Sequence, residues 1–189
     1  MTIEKGQEWG RIVAHHGGGE PLNPDLCAEL GLDPTDASPP SLGRWRELPI
    51  DLLHVEMTLA SGEVITFTTP THVVAGSRFR GRYCIVSSTS FVNRRRIFAR
   101  AHPNDGRLNW LELDRPMALR QRILFFRRTS TETHLPHPHV RSGSSGDYNT
   151  TFDKPVRVRS KIGHRGVRSL RVHVVPDGSS VYVPLAHDE

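Results

Sequence analysis

The sequence is poor in several features that would settle its class at once. It holds two cysteines in 189 residues, Cys27 and Cys84, and neither lies in a CxxC. Two thiols can pair only once, so no disulfide framework exists, and free, buried thiols in a cytoplasmic protein are the expectation. Aromatic residues amount to 7%, with no helix-turn-helix and no aromatic strand on which bases could stack. Sequence-specific nucleic-acid recognition is therefore not expected. No run approaches the ~20 consecutive apolar residues of a membrane span. The amino terminus, Met1 to Val13, has no basic stretch leading into an apolar one, so no secretory signal is expected. No Gly-x-Ser-x-Gly elbow is present, which removes the hydrolases built on it.

What is present is strongly patterned. Apolar residues are 36% of the chain, but they gather into strand-sized runs, the mark of a folded domain. Charge is divided unevenly. Residues 1–77 carry 4 Lys/Arg against 11 Asp/Glu, residues 78–171 carry 21 against 6, and the tail from 172 carries none against 3. A middle segment of net +15 beside an amino-terminal segment of net −7 calls either for an anionic partner or for the acidic segment to fold back over the basic one.

Residues 1–47 read as a loosely built acidic segment, and residues 48–189 as a β-domain. In the first part, His15 to Gly19 and Ser38 to Ser41 are breaker clusters. Between them a short helix is predicted, with Asn23 as N-cap, Pro24 at the first helical position and Gly31 as its stop. From Leu48 the pattern turns to strands: Ile50–Leu59 and Glu63–Thr69 joined at Ser61-Gly62, then Thr71–Ala75, Tyr83–Ser88 and Leu108–Leu113. Met117–Arg128 reads as a helix near Pro116, with Leu119, Ile123 and Phe126 forming the apolar stripe and arginines opposite. Arg141 to Asp147 has the composition of a flexible loop. Pro155–Arg159, Ser169–Val175 and Ser179–Pro184 are late strands, with turns at Gly163, Gly166 and Pro176-Asp177-Gly178. The fold class is mainly β: an antiparallel sandwich or partly closed barrel with one or two short helices.

The basic residues carry the functional signal. Arg78, Arg80 and Arg82 alternate, so an extended backbone would present all three on one face. Arg94, Arg95 and Arg96 fall in a loop or edge, and Arg157, Arg159 and Lys161 alternate again. Arginine forks match phosphate bidentately, which suits a phospholipid head group, a nucleotide or a nucleic-acid backbone. The competing reading is a solvated face or a charge-protected sheet edge. His134, His137 and His139 are close enough to draw as a zinc site, but Pro136 and Pro138 hold the segment extended, and no cysteine or carboxylate beside them completes a tetrahedral set.

Two segments resemble a known family. Arg100 to Leu108 contains His102-Pro103-Asn104-Asp105-Gly106, followed by Leu111-Glu112-Leu113. Thr133 to Pro138 contains His134 and His137 and follows the basic helix. With Val175-Pro176-Asp177 near the end, the order resembles the carboxy-terminal β-domain of diacylglycerol kinases and bacterial lipid kinases, of actinobacterial type, across roughly residues 48–184. The resemblance implies a β-sandwich bordering a lipid cleft, and a hard cation, Mg²⁺ or Ca²⁺, held by the Asp105 side chain and the carbonyls of His102 and Arg107. The same residues also read as a plain tight turn.

The departures from that family bear on activity. No Gly-Gly-Asp-Gly-Thr phosphate loop is present; Asn23-Pro24-Asp25-Leu26 reads as an eroded remnant with prolines and side chains in place of glycines, and Gly17-Gly18-Gly19 is a weaker alternative with no Lys or Thr after it. The chain is short for the nucleotide domain as well. Where the family places an Asp-Gly-Glu base, this chain has Arg159 to Gly163 and no carboxylate. General-base catalysis is worth ~10²–10⁴-fold, and phosphoryl transfer depends on positioning and charge. The expectation is a non-catalytic domain that binds an anionic lipid or phosphorylated small molecule, cytoplasmic or peripheral to a membrane. The alternative is an interaction protein that completes a partner chain or forms a homodimer. An active lipid kinase with unrecognised residues is the least favoured reading.

Overall fold

The structure is a computed structural model that describes residues 24–30, 45–113, 117–129, 135–160 and 163–184. A short helix α1 (Pro24–Leu30) comes first. It is followed by strands β1 (Trp45–Leu59), β2 (Val64–Thr69), β3 (His72–Gly76), β4 (Tyr83–Ser87), β5 (Phe91–Val92), β6 (Arg95–Arg96) and β7 (Leu108–Leu113). Helix α2 (Leu119–Arg128), β8 (Val140–Ser145), β9 (Asp147–Arg159) and β10 (His164–Pro184) complete the chain. Eight strands make one sheet in the order β2-β1-β10-β9-β3-β4-β7-β8, and β5 and β6 form a small separate ribbon. Every pairing is antiparallel. The mainly-β class is thus found, with two short helices among the described residues.

Period-two patterning explains the long hairpins. In β1, Leu53, Val55 and Met57 are buried, and Val55 and Met57 face Val172 and Leu170 of β10. Each such side chain contributes about 1.5–3 kcal/mol when fully buried. Ser61-Gly62 makes the predicted turn: Gly62 has φ +89, and the Leu59 N–H donates to the Glu63 carbonyl at 2.8 Å. The sheet then curls on itself. Tyr148 of β9 packs against Trp110 of β7, ring centroids 5.7 Å apart, although β3 and β4 lie between those strands in the sheet. The enclosed face is filled by Leu53, Val73, Val86, Leu108, Phe152 and Leu170, among others. The opposite face of β3, β4 and β7 is covered by α2 and the 92–101 segment, through Phe125, Met117, Val92, Ile97 and Phe98. Strand β4 is therefore covered on both sides, and all five of its residues, Cys84 included, are buried.

Three local expectations are corrected. Arg141 to Asp147 is not a loop: residues 140–145 form edge strand β8, paired with β7 from Leu108↔Ser145 to Leu113↔Val140. Its small residues serve packing, because a Cβ on Gly143 would lie 2.7 Å from Cζ2 of Trp110. Gly143→Ala is accordingly expected to cost about 1–3 kcal/mol by overpacking, read as a lower urea midpoint. Pro176-Asp177-Gly178 is not a turn between two strands either. β10 runs straight through it as a bulge, residues 176–178 lying opposite the single residue Asp51, between the pairs Leu52↔Val175 and Ile50↔Ser179. Gly166, at φ +79, likewise sits inside β10 at a break in its register with β9.

The third correction is the face of α2. Leu119 and Ile123 are 54% and 44% exposed, whereas Arg122 and Phe125 are buried. Arg122 takes the core-facing position because its guanidinium finds backbone carbonyls there. Nε donates to Met117 at 3.2 Å, Nη1 to Ser77 at 3.2 Å, and Nη2 to Gly81. Burial pulls its pKa below the ordinary value. Asn23, Gly31, the breaker clusters of the first 44 residues, Pro116, Thr133, His134 and Lys161 lie outside the described residues.

Candidate functional site

The loop between β3 and β4, residues 77–82, organises the basic surface. Gly76 opens it at φ +85, where a Cβ would meet the Arg82 carbonyl oxygen at 2.1 Å, so only glycine closes the loop this tightly. Gly81 turns it back at φ +69. Arginines then pin it from three sides. Arg122 reaches Ser77 and Gly81, Arg159 Nη2 donates to the Gly76 carbonyl at 3.2 Å, and Arg82 Nη1 donates to Thr151 of β9 at 2.7 Å.

This loop divides two adjoining grooves. The first, about 740 Å³, has Arg78, Arg95, Arg157 and Arg159 around a floor that includes Val74, Tyr83, Ile85, Val92, Ile97 and Phe126. The second, about 820 Å³, has Arg80, Arg82, Arg141, Lys154 and Arg157 with Phe152, Pro155 and Val156. Arg157 lines both. Because residues 77–82 form a loop and not a strand, Arg78 goes to one groove and Arg80 and Arg82 to the other; the single face expected from their alternation is not formed. Arg157 and Arg159 do share a face of β9, as period two requires. Arg94 and Arg96 line neither groove.

The grooves differ in how much of their charge is already matched. Asp153 is part of the lining of the second, and behind it buried Glu112 accepts from Arg82 at 2.9 Å and from Arg141 at 2.6 Å, and also from the Tyr148 hydroxyl. Burial, the neighbouring Cys84 and that carboxylate drive the Tyr148 pKa far up, and burial above all pushes the Cys84 thiol up to about 12. In the first groove, among the described residues, no carboxylate is part of the lining. Arg95 is anchored, Nη1 donating to the Phe126 carbonyl at 2.7 Å and to Thr129 Oγ1 at 3.2 Å. Arg78 stands over the Phe79 ring at 4.7 Å. Burial raises the Tyr83 hydroxyl to about 12, against the pull of Arg159 and Arg78, so it stays protonated on the groove floor.

The acidic helix docks at one end of this groove. Asp25 accepts from the backbone N–H groups of Asn93 and Arg94 at 2.7 and 2.5 Å and lies 3.1 Å from Nδ1 of His72. Glu29 accepts from the Ser90 N–H at 2.7 Å and its hydroxyl at 3.0 Å. Asn93 and Arg94 have positive φ, +52 and +60, which turns both amides toward α1. Within α1, the acidic side chains thus meet the basic segment through its backbone amides. Asp25, in the stretch nearest to a phosphate loop, is spent on this contact. Burial pushes its pKa up, but His72 and the Arg94 and Asn93 amides outweigh burial and leave it lowered from 3.8. A depressed carboxyl stabilises above its unfolded pKa and loses that contribution as pH falls through the folded value. Asp25→Ala should cost about 3 kcal/mol near neutral pH. In urea unfolding across pH, the gap to the parent should shrink below about pH 3.8.

The Pro103–Gly106 turn is built around a residue the sequence reading missed. Asp51 of β1, fully buried opposite the 176–178 bulge of β10, accepts from the Gly106 N–H at 2.8 Å and from the Asp177 N–H at 3.1 Å. Its own N–H donates to the Pro103 carbonyl at 2.6 Å. Asp105 Oδ1 accepts from the Arg107 N–H at 2.9 Å, and His102 Nδ1 accepts from the Asn104 N–H at 3.3 Å. His137 packs edge-on against Phe125 and its Nδ1 accepts from the His139 N–H at 3.2 Å. Burial, His139 and Arg128 lower its pKa. One signal for Asp51 was available: a lone carboxylate within Pro49-Ile50-Asp51-Leu52-Leu53.

No protein-family model matches the chain, and no curated protein does. It is similar in fold to solved structures described as diacylglycerol kinases from Bacillus anthracis str. Sterne. One has a TM-score of 0.46 at 6% identity, covering 72% of this chain and 57% of that one. A second has 0.43 at 6%, covering 72% and 54%, and a third 0.40 at 8%, covering 69% and 39%. The chain thus spans between 39% and 57% of the length of those chains. Among the described residues no helix is long and apolar enough to cross a membrane.

Proposed function

We propose that the chain binds a phosphate-bearing ligand with an apolar body, a phospholipid before a phosphorylated metabolite, in the first groove, and does not transfer phosphate. The observation that carries this reading is the convergence of Arg78, Arg95, Arg157 and Arg159 on an apolar floor with, among the described residues, no carboxylate in the lining. Guanidinium groups so placed hold phosphate oxygens by charge-assisted hydrogen bonds, while the floor takes hydrocarbon. The sequence supplies neither a glycine-rich phosphate loop nor a carboxylate at the position of the family's base, which supports binding without catalysis.

Exposed apolar side chains favour a membrane source and a membrane-peripheral location. Phe79 is 50% exposed on the groove loop, and Leu119, Ile123 and Leu124 are 54%, 44% and 43% exposed on α2, beside Arg120 and Arg127. Basic amphipathic surfaces of this kind lie on anionic bilayers. The same patch favours the second reading, a surface for a partner chain or a second copy.

Incubation with ATP, Mg²⁺ and phosphatidylserine vesicles separates these readings. Co-sedimentation that fades with salt, without phosphate transfer, is the expected result. Transfer of phosphate would overturn the non-catalytic reading. Absence of binding together with a dimer in light scattering would put the interaction reading first.

A further inference from the structure

On the outer face of the sheet, four side chains stand in one row across four strands. Thr68 of β2 faces His54 of β1, His54 faces His173 of β10, and His173 faces Asp147 of β9. Directly opposed residues share a face, so the backbone ladder itself sets this row. The buried neighbours Leu53, Val55, Val172 and Tyr148 point to the other side. None of the four lines either groove.

We propose that His54 and His173 form a site for a borderline-soft divalent ion such as Zn²⁺, Ni²⁺ or Cu²⁺, with Asp147 beside it. The two imidazole centroids are 4.7 Å apart, with planes tilted by 34°. An ion at ~2.0–2.1 Å from one nitrogen of each ring needs those nitrogens roughly 3.3 Å apart at a tetrahedral angle. Rings at this spacing reach that separation by turning about their terminal torsions. The pairing is rigid, since the β1–β10 register is unbroken from Leu52↔Val175 to Thr58↔Ser169 and both strands are interior to the sheet.

Ligand type selects the ion. Imidazole suits zinc, nickel and copper, whereas Mg²⁺ and Ca²⁺ want oxygen. Among the described residues no trio of His, Cys, Asp or Glu stands at ligating distance, so the chain supplies two nitrogens and water fills the remaining positions. Asp147, opposite His173, is placed to accept a hydrogen bond from such a water. Glu56, the next outward residue of β1, faces Arg171 with 3.9 Å between their charged atoms. Among the described residues, Asp147, facing His173, is thus the carboxylate placed to balance the ion.

The test uses the untagged full chain titrated with Zn²⁺ and Ni²⁺ by calorimetry, and with Cu²⁺ by electron paramagnetic resonance. Saturable binding is expected, with two imidazole nitrogens on Cu²⁺. His54→Gln and His173→Gln should each weaken binding at least about tenfold and leave one nitrogen, while His137→Gln changes neither. His173 is exposed and His54 half-buried, and an unchanged melting temperature without metal shows that both variants fold. No binding by the parent chain, or binding that survives in both variants, would overturn the proposal.

Discussion

Replacing Asp51 by alanine is expected to lower the free energy of unfolding by about 3 kcal/mol, seen as a fall in the urea midpoint at unchanged slope. The carboxylate is fully buried and accepts from the Gly106 and Asp177 N–H groups. Hydrogen bonds to a charged group contribute about 1.5–3 kcal/mol each, and the amides left behind keep their desolvation cost. The effect is large because one side chain closes two distant features, the Pro103–Gly106 turn and the 176–178 bulge of β10. Asp51→Asn should recover at most half, since its amide offers one acceptor and turns a donor toward an N–H.

The second large effect concerns binding. Arg157→Glu combined with Arg159→Glu changes four charge units at the first groove, while Arg157 also lines the second. At about 1 kcal/mol per basic residue near an anionic membrane, retention on phosphatidylserine vesicles should fall roughly 10³-fold. Thermal stability should fall by no more than about 1 kcal/mol, because both side chains are exposed and the hydrogen bond lost is the exposed one from Arg159 to the Gly76 carbonyl. Circular dichroism with the same sedimentation assay checks both halves. Binding that survives the double reversal would remove the groove from the function.

What the sequence disclosed follows the range of the interactions involved. Period two is local, so Leu53, Val55, Met57, Leu170 and Val172 announced their strands, and Arg157 and Arg159 their common face. Arg141 to Asp147 read as a loop because the pairing of β8 with β7 and the contact of Gly143 with Trp110 are non-local. The 176–178 bulge read as a turn because only the continuing β1 beside it shows that the chain goes straight on. On α2 the hydrophobic stripe misled, since Arg122 satisfies its guanidinium on carbonyls that the 77–82 loop brings to it. Arg95 joined the groove for the same kind of reason, through its bonds to Phe126 and Thr129.

Arg122 has a dynamic consequence. It ties the carbonyls of Ser77 and Gly81 to α2, so the helix and the groove loop open as one cooperative unit, and hydrogen exchange should report a single opening free energy for both. A ligand held by Arg78 in the groove would then slow amide exchange along α2, a helix from which only Phe126 lines that groove.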